Sequence, residues 1–401
     1  MSGLLDDATL RTRPTDVINR MNKTAMALGI VGALVTVAGF FLQRETFFQS
    51  YLIGFMYWMY ITLGSLGLLM ISHLSGGAWG IVSRRVFEAS VRTLPVMALL
   101  FLPIAFDVKH LYEWARPEAI HDAAIQTKAA YLNTSFFYVR AIGYFAIWMG
   151  IGFTLSNWGT KQDNDPPVIP GPEDRKFRML SGPGLAAFML TVTFMSVDWM
   201  MSLDPHWTST IFGVLFIGGG GLSTLAFTII VLSNLADVAP MAGLMTKERF
   251  HDLGKLMYAF VLLWAYFSVS QLIIVWSGNL PEEIPFYLRR FSGPWGWVSV
   301  VVLVGHFVIP FMFLLSSTLK RNRTLAARVA FFILVMRAVE IAWEIAPMAR
   351  HGEHSAPTVY DLAAVLAVGL VWLPVFFRNL AGRPVLPVHD PYLKDALHGG
   401  H

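Results

Sequence analysis

Ten mostly apolar stretches follow one another along this chain, near residues 24–42, 50–72, 91–108, 136–157, 184–202, 210–233, 256–277, 297–319, 327–346 and 358–377. A helix of roughly 20 such residues reaches across the hydrocarbon core of a bilayer. Lipid offers no hydrogen-bond partners, so a spanning segment must satisfy its own backbone, which a helix does. The pattern predicts an all-α polytopic membrane protein with about ten transmembrane helices. It divides into an N-terminal segment 1–23, a membrane domain 24–377 and a C-terminal tail 378–401. Composition agrees: 55% of residues are hydrophobic and 14% charged, against about a quarter charged in soluble domains.

The basic residues orient these spans. With the N-terminus on the cytoplasmic side, the six inner segments hold four, three, four, three, four and three Lys or Arg, and the five outer segments hold only seven. Of the 30 Lys and Arg, Arg140 and Arg337 remain, and they lie within spans. Cytoplasmic loops carry the excess of Lys and Arg, so both termini are expected in the cytoplasm. The start of the chain, MSGLLDDATLRTRPTD, lacks the pattern of a cleaved signal and is expected to be retained.

Several classes drop out. The pI is about 9.2, but the net charge is only +4 and the cations sit between apolar runs, so no nucleic-acid partner is expected. There is no cysteine, which excludes disulfides, cysteine-ligated iron–sulfur clusters and cysteine-attached haem in this chain. His306 is the one deep histidine, so an intrinsic b-type haem with paired ligands is not expected either. No metal-ligand spacing stands out.

An ionisable group in a span costs at least about 2.5–3.5 kcal/mol on insertion scales, so each is a functional candidate. The ninth stretch carries RAVEIAWE, in which Arg337, Glu340 and Glu344 share one helical face by their spacings of three and four. One cation against two acids leaves a carboxyl free to exchange a proton; a static ion pair between helices is the alternative. In DWMMSLDPHW, Asp198 ends the fifth stretch and needs a partner in the bundle, whereas Asp204 and His206 fall in a turn that Asp-Pro chemistry also explains. Asp107 and His110, in FDVKHLYEW at the end of the third stretch, face Arg140 across a hairpin, and an Asp107–Arg140 pair is expected there, with interfacial snorkelling as the rival. His306 and Gln271 read as relay members or as packing residues. Asp107, His110, Arg140, Asp198, Asp204, His206 and Glu344 are expected toward the outer half of the membrane, His306 lies mid-span, and acids within spans are scarce in the inner half.

Loops and tails add three readings. NDPPVIPGPEDR is expected to be extended. The C-terminal tail reads either as a strap on a cytoplasmic neighbour or as a disordered end. SGP, at Ser181–Pro183 and Ser292–Pro294, precedes a span twice, where proline suits a first helical turn.

The strings DWMMSLDPHWTSTIFG, FDVKHLYEWARPEA and RAVEIAWE, together with the ten-span layout, resemble the polysulfide-reductase-type (NrfD-like) membrane family. Within it they are most similar to the smaller of the two such subunits of bacterial alternative complex III, a quinol:electron-acceptor oxidoreductase of respiratory or photosynthetic electron transfer. The resemblance covers nearly the whole chain. It implies a place in the bacterial inner (cytoplasmic) membrane and two four-helix bundles within the ten spans. It also implies a paralogous NrfD-like subunit, an iron–sulfur subunit and haem c subunits as partners, with haem and iron–sulfur clusters on those chains, quinone as the substrate of the complex and a proton path here. A purely structural anchor and a secondary transporter are the alternatives; a transporter would show broken spans at matching positions in two halves.

The cysteine-free background makes the orientation testable. Single Arg321→Cys and Arg378→Cys variants should react with a membrane-impermeant maleimide only from the cytoplasmic side, and Arg116→Cys and Arg289→Cys only from the other. Labelling of all four from one side would overturn the orientation.

Overall fold

The computed structural model describes residues 7–42, 44–164, 172–350 and 356–393, and every regular element among them is a helix. Nine helices among the described residues are long and apolar enough to cross a membrane. They are α1 (Thr15–Leu42), α2 (Arg44–Ser75), α3 (Ala78–Phe106), α4 (Thr134–Asn164), α5 (Pro172–Trp199), α6 (Phe212–Leu235), α7 (Lys247–Gly278), α8 (Gly293–Leu315) and α10 (Val359–Ala381). Between the last two lies α9 (Arg323–Ala349), a 27-residue helix of roughly 40 Å by its rise per residue. It is as long as its neighbours and is set apart from them by three charged residues, Arg337, Glu340 and Glu344, close together along it. The sequence count of ten and the structural count of nine differ by this helix.

The two described ends of the chain share one face of the bundle, where Arg11 Nη2 lies 3.4 Å from His389 Nε2. On this terminal face Arg323, at the start of α9, pairs with Asp237. On the opposite face Arg350, at its end, pairs with Asp361 and donates to Ser50 at 2.9 Å. Helix α9 therefore traverses the full thickness of the bundle.

Helix α2 is the axis, buried along its whole apolar stretch, with α6 crossing it almost as deeply. The crossing is close because Gly64 faces Gly220: a Cβ on Gly64 would sit 2.2 Å from the Gly220 carbonyl oxygen, and small residues let membrane helices approach in this way. Thr224 adds a hydrogen bond to the Ile61 carbonyl at 3.0 Å. The other helices surround this pair and turn apolar side chains such as Phe41, Ile142, Leu190, Tyr266 and Leu303 outward, as a surface facing lipid requires.

Several sequence expectations change here. Helix α3 begins at Ala78 rather than near residue 91, so Arg84 and Arg85 lie within a helix and not in a loop. It is broken after Val91 and again at Phe101, and Pro95 and Pro103 each sit in the first turn of the next piece. Pro294 likewise opens α8, whereas Pro183 lies inside α5. Helix α8 widens into a π-turn over Val302–Val308. Pro310 follows, and its ring would meet the His306 carbonyl in α geometry. The tail to Leu393 lies on this same chain, with Val385, Leu386, Val388 and Leu393 buried, so this part of it is not a free end. Residues 165–171 of the proline-rich stretch and 394–401 of the tail lie outside the described residues.

A larger residue at the central crossing should be expensive. Gly64→Leu is expected to cost about 1–3 kcal/mol or more by overpacking, read as a lower unfolding temperature in detergent. Gly143→Leu, at a position with nothing near its added Cβ, should leave that temperature nearly unchanged.

Candidate functional site

Two polar clusters stand toward the opposite face and the middle of the bundle. In the first, Asp198 of α5 is buried and accepts both arms of the Arg140 guanidinium from α4, at 2.8 and 2.9 Å, as well as the Tyr144 hydroxyl at 2.7 Å. Arg140 also donates to the Tyr131 carbonyl at 2.9 Å and lies over the Tyr131 and Phe136 rings. This is a bidentate pair with a tyrosine hydroxyl as its third donor. The expected Asp107–Arg140 pair is not formed. Asp107 instead contacts the exposed His110 ring at 2.5 Å, one turn along its own chain. Asp204 accepts from Arg289 at 2.8 Å, and His206 contacts Asp122 at 3.1 Å, half exposed. These two tie surface segments together and lie outside both clusters.

The second cluster is built on α9. Arg337 pairs with Glu340, donates to Ser223 Oγ of α6 at 3.2 Å and lies over the Tyr60 ring of α2, its guanidinium carbon 4.6 Å from the ring centre. A Cβ on Gly219 would stand 2.5 Å from Arg337 Nη2, so glycine there makes the room. Glu340 also accepts the Trp264 indole N–H from α7 at 2.8 Å. Behind that indole lies His306 at the π-turn of α8, ring centres 4.1 Å apart, fully buried and with neither ring nitrogen hydrogen-bonded. Glu344, one turn further along α9, accepts the Tyr60 hydroxyl at 3.1 Å. Among the described residues no cation stands within ion-pair distance of it. The spacing in RAVEIAWE placed the three charges on one face; Tyr60, Ser223, Trp264 and Gly219 come from other helices and carry no comparable signal.

Glu340 and Glu344 line one cavity of about 410 Å³, within the range of small-molecule sites. Its walls are mostly apolar and aromatic, with Trp264, Phe286 and Trp343 among them, and Gln271 and Ser299 supply further polar contacts. Val269 of α7 and Val300 and Leu303 of α8 belong both to its lining and to the exposed apolar surface. The cavity therefore reaches the lipid-facing side between α7 and α8.

The short helix Pro285–Phe291 closes it toward the opposite face. There Arg290, fully buried, donates to the backbone carbonyls of Phe286, Trp343 and Glu344 at 2.7, 3.1 and 2.6 Å. Burial lowers its guanidinium to about 9, which leaves it charged at neutral pH. Burial raises the Tyr287 phenol to about 12, so it stays neutral beside Gln271, from which it accepts a hydrogen bond at 3.3 Å.

Among the described residues no group of three or more His, Asp or Glu is placed to hold a metal ion. Comparison with protein-family models and with curated proteins returned no match.

The first cluster predicts a stability effect. Arg140→Ala leaves Asp198 buried without its cation and should cost about 3–5 kcal/mol, seen as a lower unfolding temperature. Adding Asp198→Asn to that variant should recover part of the loss; no recovery would mean that Arg140 acts through its aromatic contacts.

Proposed function

We propose that the chain is a membrane subunit of a multi-subunit quinol:electron-acceptor oxidoreductase of the alternative complex III type, in which it moves protons and contacts quinone. On this reading α9 is the tenth span, and α2–α5 and α6–α9 form two four-helix bundles flanked by α1 and α10. Both termini are cytoplasmic, and the paralogous NrfD-like subunit, the iron–sulfur subunit and the haem c subunits are the partners. Electrons leave quinol through clusters and haems on those chains, and this chain supplies no electron carrier.

The observation that carries the reading is Glu344, a buried carboxyl with no paired cation at the end of an apolar cavity open toward lipid. A buried carboxylate without a cation is costly, and the group takes up a proton instead. A quinone ring suits the aromatic walls, and its oxygens suit a protonated carboxyl, Gln271 and Ser299 as hydrogen-bond partners. Oxidation of a quinol releases two protons with its two electrons, and Glu344 and Glu340 stand where such protons can be received. Tyr60, Arg337 and His306 extend the polar chain toward the middle of the bundle. Asp198, fully paired with Arg140, fits the anchor role better, as a static tie between α4 and α5.

The test uses the native complex in proteoliposomes. Glu344→Gln should assemble normally and lose most of the proton translocation per electron, whereas Leu303→Trp, at the cavity mouth, should reduce cross-linking of a photoreactive quinone to α7 and α8. Unchanged translocation in Glu344→Gln would favour the anchor. Solute uptake by the isolated chain in liposomes would favour the transporter.

A further inference from the structure

Helix α9 carries Pro347 in its last turn and continues past it, since the Arg350 N–H reaches the Ala346 carbonyl at 2.9 Å. Proline has no N–H, so the Trp343 carbonyl, four residues earlier, loses its donor within the helix, and the ring pushes that carbonyl aside. A buried carbonyl left without a donor is costly. Here the donor comes from the short helix Pro285–Phe291. Arg290 Nε donates to the Trp343 carbonyl at 3.1 Å and Nη2 to the Glu344 carbonyl at 2.6 Å, while Nη1 holds the Phe286 carbonyl of its own helix at 2.7 Å. The guanidinium stands in for the amide hydrogen that Pro347 lacks. It does so at the turn of α9 from which Trp343 and Glu344 line the cavity.

The same residue closes a ring of hydrogen bonds. The Trp343 indole N–H donates to Ser299 Oγ of α8 at 2.7 Å, and the Ser299 hydroxyl donates to the Arg290 carbonyl at 2.7 Å. One cycle thus locks the short helix, α8 and α9 together, and two of its members, Ser299 and Trp343, line the cavity. The DPHW turn after α5 seats the short helix from the other side. Phe286 stacks on Trp207 with ring centres 4.1 Å apart, the Arg290 guanidinium carbon lies 3.4 Å from the Phe286 ring centre, and Arg289 pairs with Asp204.

We infer that Arg290 is a positioning residue of the cavity: by supplying the donor that Pro347 withholds, it fixes the turn of α9 from which Glu344 and Trp343 reach into the site. The role needs the planar fork, because three carbonyls are met by three nitrogens of one rigid group, which a lysine does not offer. Among the described residues no carboxylate stands within ion-pair distance of Arg290, and its bonds run to carbonyl dipoles. Arg290 is not part of the cavity wall and acts through Glu344 and Trp343. What Glu344 does in the site rests on the function proposed above; the replacement of an amide by a guanidinium stands apart from it.

Pro347→Ala and Arg290→Gln, alone and together, test this, with unfolding temperatures read in detergent and proton translocation in the native complex in proteoliposomes. Pro347→Ala restores an N–H for the Trp343 carbonyl and frees Arg290 from it. This variant should keep or raise the unfolding temperature and yet lose proton translocation per electron several-fold. Arg290→Gln should lower the unfolding temperature by several degrees, and by much less when Pro347→Ala is present. Arg290→Lys keeps the charge without the fork and should recover only a small part of the translocation that Arg290→Gln loses. Full recovery by lysine would assign the effect to charge and overturn the positioning role, as would normal translocation in Pro347→Ala. Equal losses of unfolding temperature in both backgrounds would overturn the replacement of the amide. If Arg290→Gln does not assemble, Pro347→Ala decides by itself, because it leaves Arg290 intact. Normal translocation in Glu344→Gln would sink the proposed function, and the paired unfolding temperatures would still decide whether Arg290 replaces the amide.

Discussion

A charge removed from water must find an opposite charge or a set of hydrogen-bond partners, and the architecture of this bundle follows from meeting that requirement. Arg140 meets Asp198 and joins α4 to α5. Arg350 meets Asp361 and Ser50, and so joins the end of α9 to α10 and α2. Arg85 meets Asp163 and joins α3 to α4, and Arg84 holds the tail through Asp390. Each pair is strongly destabilising to break from one side, because the survivor stays buried. The pairs thus specify which helices are neighbours, where apolar contacts alone would accept many arrangements in lipid.

Function is to be sought where this rule is met least completely. Asp198 accepts three hydrogen bonds, two of them from the Arg140 guanidinium. Among the described residues Glu344 has a tyrosine hydroxyl and no paired cation, Glu88 has one oxygen without a donor, and His306 has two bare nitrogens. The first borders the large cavity and the second a water-sized notch. These sites stand toward opposite faces of the molecule, with Arg337 and His306 in the region between them. The π-turn at His306 fits the same pattern, since such turns recur at functional sites.

Part of this was legible in the residues alone. The face of α9 that carries Arg337, Glu340 and Glu344 followed from helical periodicity, which is a local property. That Asp198 needs a partner also followed, but Arg140 as that partner did not, since Asp107 offered itself across the same hairpin. The choice is made in the tertiary structure, where Asp198 meets Arg140 and Asp107 meets His110. The first half of α3 was misread for a related reason. Its arginines and glutamate lower the hydropathy of the stretch, and only the neighbouring Asp163, Arg383 and Asp390 make their burial tolerable.

The amino-acid sequence by itself determined that the chain is a bundle of long apolar helices, because the length and hydrophobicity needed to cross lipid are properties of each segment alone. It also determined the order of the helices and the shared face of the charges on α9. The tertiary structure decided which charges are neutralised and which are not, where the cavity lies, and that the tail returns to its own chain. Those outcomes depend on side chains hundreds of residues apart in sequence, such as Arg84 with Asp390 and Tyr60 with Glu344. Pairing energies act through space, and spacing along the chain does not encode them.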